Sequence, residues 1–162
     1  MAVKKSSRRE LIEAINLEVR RSQNRTDEYD EAVAHAVGIN RTDMRCLDIL
    51  AQEGGATAGR LAALMGLTTG AITTVLDRLE AAGFARRERD VNDRRRVRVA
   101  LTEKAEAELM PFYEPLQEMS EKLFARYTEE QLELLLGFLV EAGARHEEIL
   151  AALRERLGSN PD

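Results

Sequence analysis

A chain of 162 residues, 44% of them hydrophobic, suffices for one domain or a small domain with appended helices, and is too apolar to stay disordered. Aromatic residues are few and Trp is absent, which speaks against a stacking platform for single-stranded nucleic acid. The net charge of -5 conceals an asymmetry: residues 1–101 hold 18 Lys+Arg against 15 Asp+Glu, while residues 102–162 hold 6 against 14. One end is built to approach a polyanion; the other is not. The longest apolar runs, such as Leu134 to Val140, are too short to span a bilayer, and no signal peptide is visible at the start. A single Cys fits a reducing cytoplasm.

The first element expected is a helix from about Arg9 to Val37, with Leu11, Ile15, Val19, Val33 and Val37 at helical spacing, broken by Gly38. Thr42 is expected to cap the next, which carries Met44, Leu47, Ile49 and Leu50 and stops at Gly54-Gly55. Thr57 caps a short helix, Ala58 to Met65, ended by Gly66; Thr68 caps another that runs to Ala82 and ends at Gly83. Two short capped helices joined by a glycine-containing turn form a helix-turn-helix. The period then changes, because Val97, Val99 and Leu101 alternate with Arg96, Arg98 and Ala100 as in a half-buried strand. Its expected partner is Phe84 to Arg89, with turn residues in Asp90-Val-Asn-Asp93. Thr102 caps a helix expected to bend or break near Pro111 and Pro115. Thr128-Glu-Glu-Gln131 is a capping box, with Tyr127 and Leu132 as its staple, opening a last helix that runs to about Leu157. The fold class expected is mostly α with a small β-hairpin wing. The parts are an N-terminal helix (1–37), a winged helix-turn-helix lobe (38–101) and C-terminal helices (102–162).

Between Arg86 and Arg98 stand seven arginines against three acids, Glu88, Asp90 and Asp93. A cationic ribbon beside a helix whose first turns expose small polar side chains is what a duplex-DNA reader needs. The helix enters the major groove, and the ribbon follows phosphates and the adjacent minor groove.

This order resembles the MarR family of bacterial winged-helix transcription regulators over nearly the whole chain. The likeness rests on Asp77-Arg-Leu-Glu-Ala-Ala-Gly-Phe84, Arg86-Arg87, Asp93-Arg-Arg95 and Val99-Ala-Leu-Thr102, four pieces in register. It implies a homodimer with interleaved N- and C-terminal helices, a pseudo-palindromic double-stranded operator, and release of DNA by a small amphipathic effector. It further implies a repressor working in the cytoplasm at the nucleoid, with no cofactor. One position departs: where the family often places Arg on the recognition helix, this chain has Thr74. Readout by Thr contacts, water and DNA shape is expected instead of an Arg–guanine fork.

The expected DNA-binding residues are Thr68, Thr69, Gly70, Thr73, Thr74, Arg78, Arg86, Arg94, Arg95 and Arg96. Four threonines in one short helix is poor helix chemistry, so their exposure suggests a task. Arg94, Arg95 and Arg96 crowd like charge at a hairpin tip, a poor arrangement without a polyanion. Arg94 resembles the family's minor-groove arginine; Arg95 either contacts DNA or binds the protein's own acids. Asp93 is a structural partner orienting Arg94 or its neighbours. Arg86 and Arg98 either face each other across the hairpin or reach phosphates. Cys46, in an apolar helical stripe with no resolving cysteine, reads as core rather than as a redox sensor. His35 and His146 with one buried Cys do not make a metal site. No phosphate loop or catalytic triad signature appears, so an enzyme is not expected. The alternative is a protein-interaction module using the acidic C-terminal helices, which gains nothing from seven arginines at one hairpin.

Overall fold

The computed structural model of the chain describes residues 7–89 and 96–158. In chain order the elements are α1 (Arg8–Ala36), α2 (Arg41–Glu53), α3 (Ala58–Met65), α4 (Thr69–Ala81), β1 (Ala85–Arg89), β2 (Val97–Leu101), α5 (Glu103–Phe124) and α6 (Glu129–Gly158). The class is the expected one, mostly helical with a two-stranded antiparallel hairpin. The chain divides into two compact units, Met1–Phe112 and Tyr113–Asp162.

The core of the first unit joins Cys46, Leu47 and Leu50 of α2, Leu61 and Met65 of α3, and Ile72, Val75, Leu76 and Leu79 of α4. Phe84, Val99 and Ala105 close it from the hairpin side. Each fully buried leucine contributes roughly 1.5–3 kcal/mol of transfer free energy. α4 carries four of these anchors on one stripe, so its opposite face is left to solvent.

Three local expectations change. Asn40, not Thr42, caps α2: its side chain accepts from the Asp43 N–H at 2.9 Å. Asn is among the strongest N-caps, and starting the helix at Arg41 puts Asp43 in the first turn, where the helix dipole favours a carboxylate. Of the bend or break expected near Pro111 and Pro115, the break does not occur: α5 is one helix from Glu103 to Phe124. Both prolines sit at exposed positions, as does Ala107, so the carbonyls that lose a donor lie on residues open to water. Of the alternating strand residues, Val99 is buried and Leu101 half-buried, but Val97 is exposed, at the loop end opposite Arg89.

Other caps follow the residues that encode them. Thr57 and Thr68 accept from Arg60 N–H and Ala71 N–H, and Thr128 and Gln131 exchange the two bonds of a capping box. Ser7 and Glu10 form a second box that opens α1, a pattern present in the sequence but not read there. In the second unit α6 exposes Leu134, Leu136, Phe138, Leu139 and Val140, and α1 of the first unit exposes Leu11, Ile12, Ile15 and Leu17. Among the described residues no single helix is long and apolar enough to cross a membrane.

Candidate nucleic-acid interface

The turn between α3 and α4 is built by Gly66. Its φ of 68° lets the Leu67 N–H reach back to the Ala62 carbonyl at 2.9 Å while its own N–H bonds Ala63 O at 3.3 Å, a Schellman ending. The chain bends by 109° between the two helices, within the range of a helix-turn-helix. Arg45 of α2 covers the last carbonyls of α3, donating to Leu64 O and Met65 O at 3.4 Å. Arg60 of α3 grips Glu53 of α2 through Nε and Nη2 at 3.2 and 3.1 Å, and holds that carboxyl below its usual range. Gly66 and Arg45 thus fix the α3–α4 turn, while Arg60 ties the start of α3 to the end of α2.

On α4 the exposed positions are Thr69, Gly70, Ala71, Thr73, Thr74, Asp77, Arg78 and the terminal Ala81, most of them opposite the buried stripe. Thr68 caps the helix and is itself exposed. The Thr73 hydroxyl donates to the Thr69 carbonyl at 2.8 Å, and that of Thr74 to the Gly70 carbonyl at 3.2 Å. Their hydrogens point along the helix, so the side chains offer oxygen lone pairs and γ-methyl groups outward.

Arg78 is not a free cation. Its Nε and Nη2 grip Asp43 of α2 at 3.1 and 2.5 Å, and the pairing raises its already high pKa. Among the described residues Asp43 is the one buried charge, with a side chain 4% exposed, whereas Arg78 remains 44% exposed. Sequence reading missed Asp43, although its place on the stripe of Leu47 and Leu50 (i, i+4, i+7) was a signal.

The hairpin pairs Ala85 with Leu101, Arg87 with Val99 and Glu88 with Arg98. Arg86 therefore sits opposite Ala100 rather than Arg98, and its Nε bonds Glu88 on the exposed side at 3.1 Å. Arg98 turns away, donating through Nη2 to the Gly54 and Gly55 carbonyls at 3.0 and 2.7 Å. Gly55 has φ 98°, and a Cβ there would lie 3.0 Å from the Val99 carbonyl. That closeness lets Ala56 and Val99 exchange a pair of backbone hydrogen bonds at 2.9 and 2.7 Å, tying the hairpin to the α2–α3 turn. Arg87 is held by Asp77 at 2.8 Å and by Glu80, whose Oε2 accepts from the guanidinium Nη1 and whose Oε1 accepts the Arg87 backbone N–H. Thr102 donates to the Gly83 carbonyl and Lys104 to that of Ala82, satisfying the end of α4; the Lys104 ammonium also lies 5.0 Å from the Phe84 ring centre. Arg96 is exposed. Asp93, Arg94 and Arg95 lie outside the described residues.

A family model described as the MarR family matches residues 39–97, from the start of α2 into the hairpin. An uncharacterised HTH-type transcriptional regulator of Bacillus subtilis (strain 168), YcgE, is 38% identical over 151 residues, covering 93% of this chain and 98% of that protein. The chain belongs to the MarR family. The MarR-family regulator of Silicibacter pomeroyi superposes with a TM-score of 0.59 at 25% identity, covering 78% of this chain and 86% of that one. The transcriptional regulator BldR of Sulfolobus solfataricus gives 0.54 at 26% identity, covering 87% and 99%. This MarR-family chain is thus a transcription regulator with a DNA-binding winged helix.

Cys46 is fully buried, and burial, helped by the nearby Asp43 charge, pushes its thiol up to about 11. A thiol so shielded is protonated at neutral pH and inert, since the thiolate is the nucleophile. Iodoacetamide at pH 8 is expected to leave the native protein unmodified and to label it once in denaturant. Rapid labelling of the native protein would contradict the burial.

Proposed function

We propose that the chain is a homodimeric, sequence-specific repressor that binds a pseudo-palindromic operator and is released by a small amphipathic ligand. The observation that carries the DNA reading is the face of α4: four apolar anchors hold it down, and Thr69, Gly70, Thr73 and Thr74 are what its leading turns offer to a groove. The hydroxyls, already donating to their own backbone, accept from adenine or cytosine amino groups, and the γ-methyls meet thymine methyls. Thr68 and the N-terminus of α4 receive a phosphate. Arg86 and Arg96 on the hairpin, with Arg94 and Arg95, serve phosphates and the minor groove. Enrichment of duplexes from a random library by the full-length protein tests this. A pseudo-palindrome with half-sites about one turn, roughly 34 Å, apart is expected; recovery of no shared sequence would count against it.

The dimer is supported by the exposed leucines and isoleucines of α1 and the exposed stripe of α6, apolar surface of a kind that marks interfaces. Light scattering at micromolar concentration should give twice the 18.2 kDa chain mass; a stable monomer would overturn the assignment. The effector rests on the family likeness, and a small-molecule screen read as a rise in melting temperature identifies it.

A further inference from the structure

The Asp-Arg-Leu-Glu run of α4 puts three charged residues just behind the reading face, and each is tied to a neighbouring element. Successive i, i+4 positions form two rows along α4: Thr69, Thr73, Asp77 and Gly70, Thr74, Arg78. The first row ends in Asp77, which with Glu80 holds Arg87 of β1. The second ends in Arg78, held bidentately by the buried Asp43 of α2. Each row of candidate base contacts is therefore anchored at its base, one to the wing and one to α2.

We infer that this pair of ionic ties sets the rotation of the recognition helix about its own axis, making Asp43, Arg78, Asp77, Glu80 and Arg87 positioning residues for sequence readout. The stripe of Ile72, Val75, Leu76 and Leu79 fixes how deeply α4 sits. With the helical period it also decides which face of α4 is outward, but apolar contact is non-directional and sets the last few degrees about the axis less sharply than a directed bond does. Neighbouring residues stand 100° apart about the axis, so a turn of a fraction of that already shifts a threonine row against the base edges. Charge-assisted hydrogen bonds do have direction. Those on Arg78 and Arg87 leave α4 from adjacent rows towards different elements, so rotation in either sense breaks one of them. The same ties neutralise Asp77 and Glu80, which would otherwise repel the phosphates that the hairpin approaches. On this view Arg78 serves discrimination rather than electrostatic affinity.

The inference rests on the reading that α4 enters the major groove, and the experiment separates the two. The probe is the duplex that the wild-type chain enriches from a random library, compared with a shuffled duplex of the same composition. Asp43→Asn keeps the shape of a side chain that is too buried to touch DNA. At a temperature where melting curves show the variant folded, preference for the enriched duplex should fall by about tenfold or more, while affinity for the shuffled duplex and its salt slope stay put. Arg78→Lys, which keeps the charge and loses the fork, should do the same and serves if Asp43→Asn does not fold. Arg78→Gln should leave the salt slope unchanged, whereas a phosphate contact would lower it by about one per subunit. A folded Asp43→Asn or Arg78→Lys with preference intact within twofold would overturn the positioning role and leave the DNA reading standing. Failure of the wild type to enrich any sequence would overturn the reading itself, and the inference with it.

Discussion

Truncation of Leu76 to alanine is expected to cost about 2–5 kcal/mol of stability, enough to unfold a large share of a marginal domain at growth temperature. Leu76 is fully buried at the centre of α4, between Ile72, Val75 and Leu79, where α2 and α3 also pack. The loss combines the transfer free energy of the removed carbons with the cavity left behind, because a helix pinned at both ends by Gly66 and Thr102 cannot collapse into it. Chemical denaturation should show a lower midpoint with an unchanged slope. A change below about 0.5 kcal/mol, the size of an ordinary surface substitution, would show that α4 is not anchored through this stripe.

The second large effect separates wing from helix. Arg94→Ala is expected to weaken binding to operator and random duplex alike, and to reduce the salt slope by about one per subunit. Thr73→Ala should cost on the order of 1 kcal/mol at the operator and little on random DNA. The reason is chemical: an arginine brings charge that every duplex attracts, whereas a helix face of threonines brings hydroxyls and methyls that meet base edges but cannot dominate the electrostatics. An Arg94→Ala protein with unchanged affinity and slope would take the wing out of the interface and favour the protein-interaction alternative.

Much of this architecture was legible because its signals are local. Gly38, Gly54, Gly66 and Gly83 carry positive φ at or just past the helix ends they were expected to mark, and Thr57, Thr68 and Thr128 cap where a side-chain oxygen precedes an apolar period. Asn40 was missed because Thr42 offers the same chemistry two residues on, and caps compete over that range. Whether α5 would break was left open because a proline's local penalty is visible in sequence, while the exposure that lets a helix tolerate it is not.

The interface residues divide the same way. Exposure of Thr69, Thr73 and Thr74 follows from helical period alone, since Ile72, Val75 and Leu76 define the opposite side. The arginines were harder, because composition counts charges without saying what they touch. Arg87 and Arg98 are bound within the protein, by Asp77 with Glu80 and by the Gly54 and Gly55 carbonyls, and Arg78 belongs to Asp43 thirty-five positions away. Pairings between different elements are not specified by spacing within one element, which is why seven arginines near the wing overstate the charge available to DNA.

The central claim, that this lobe reads duplex DNA through a threonine face and a cationic hairpin, is tested most directly by the salt dependence of binding by the full-length wild-type protein. Affinity for the enriched duplex and for a shuffled one would be measured across a range of ionic strengths. The account predicts a steep linear fall of log affinity with log salt on both, with the enriched duplex offset by a preference that persists at all salts. A flat response on both duplexes would contradict it and point to the acidic C-terminal helices as the working surface.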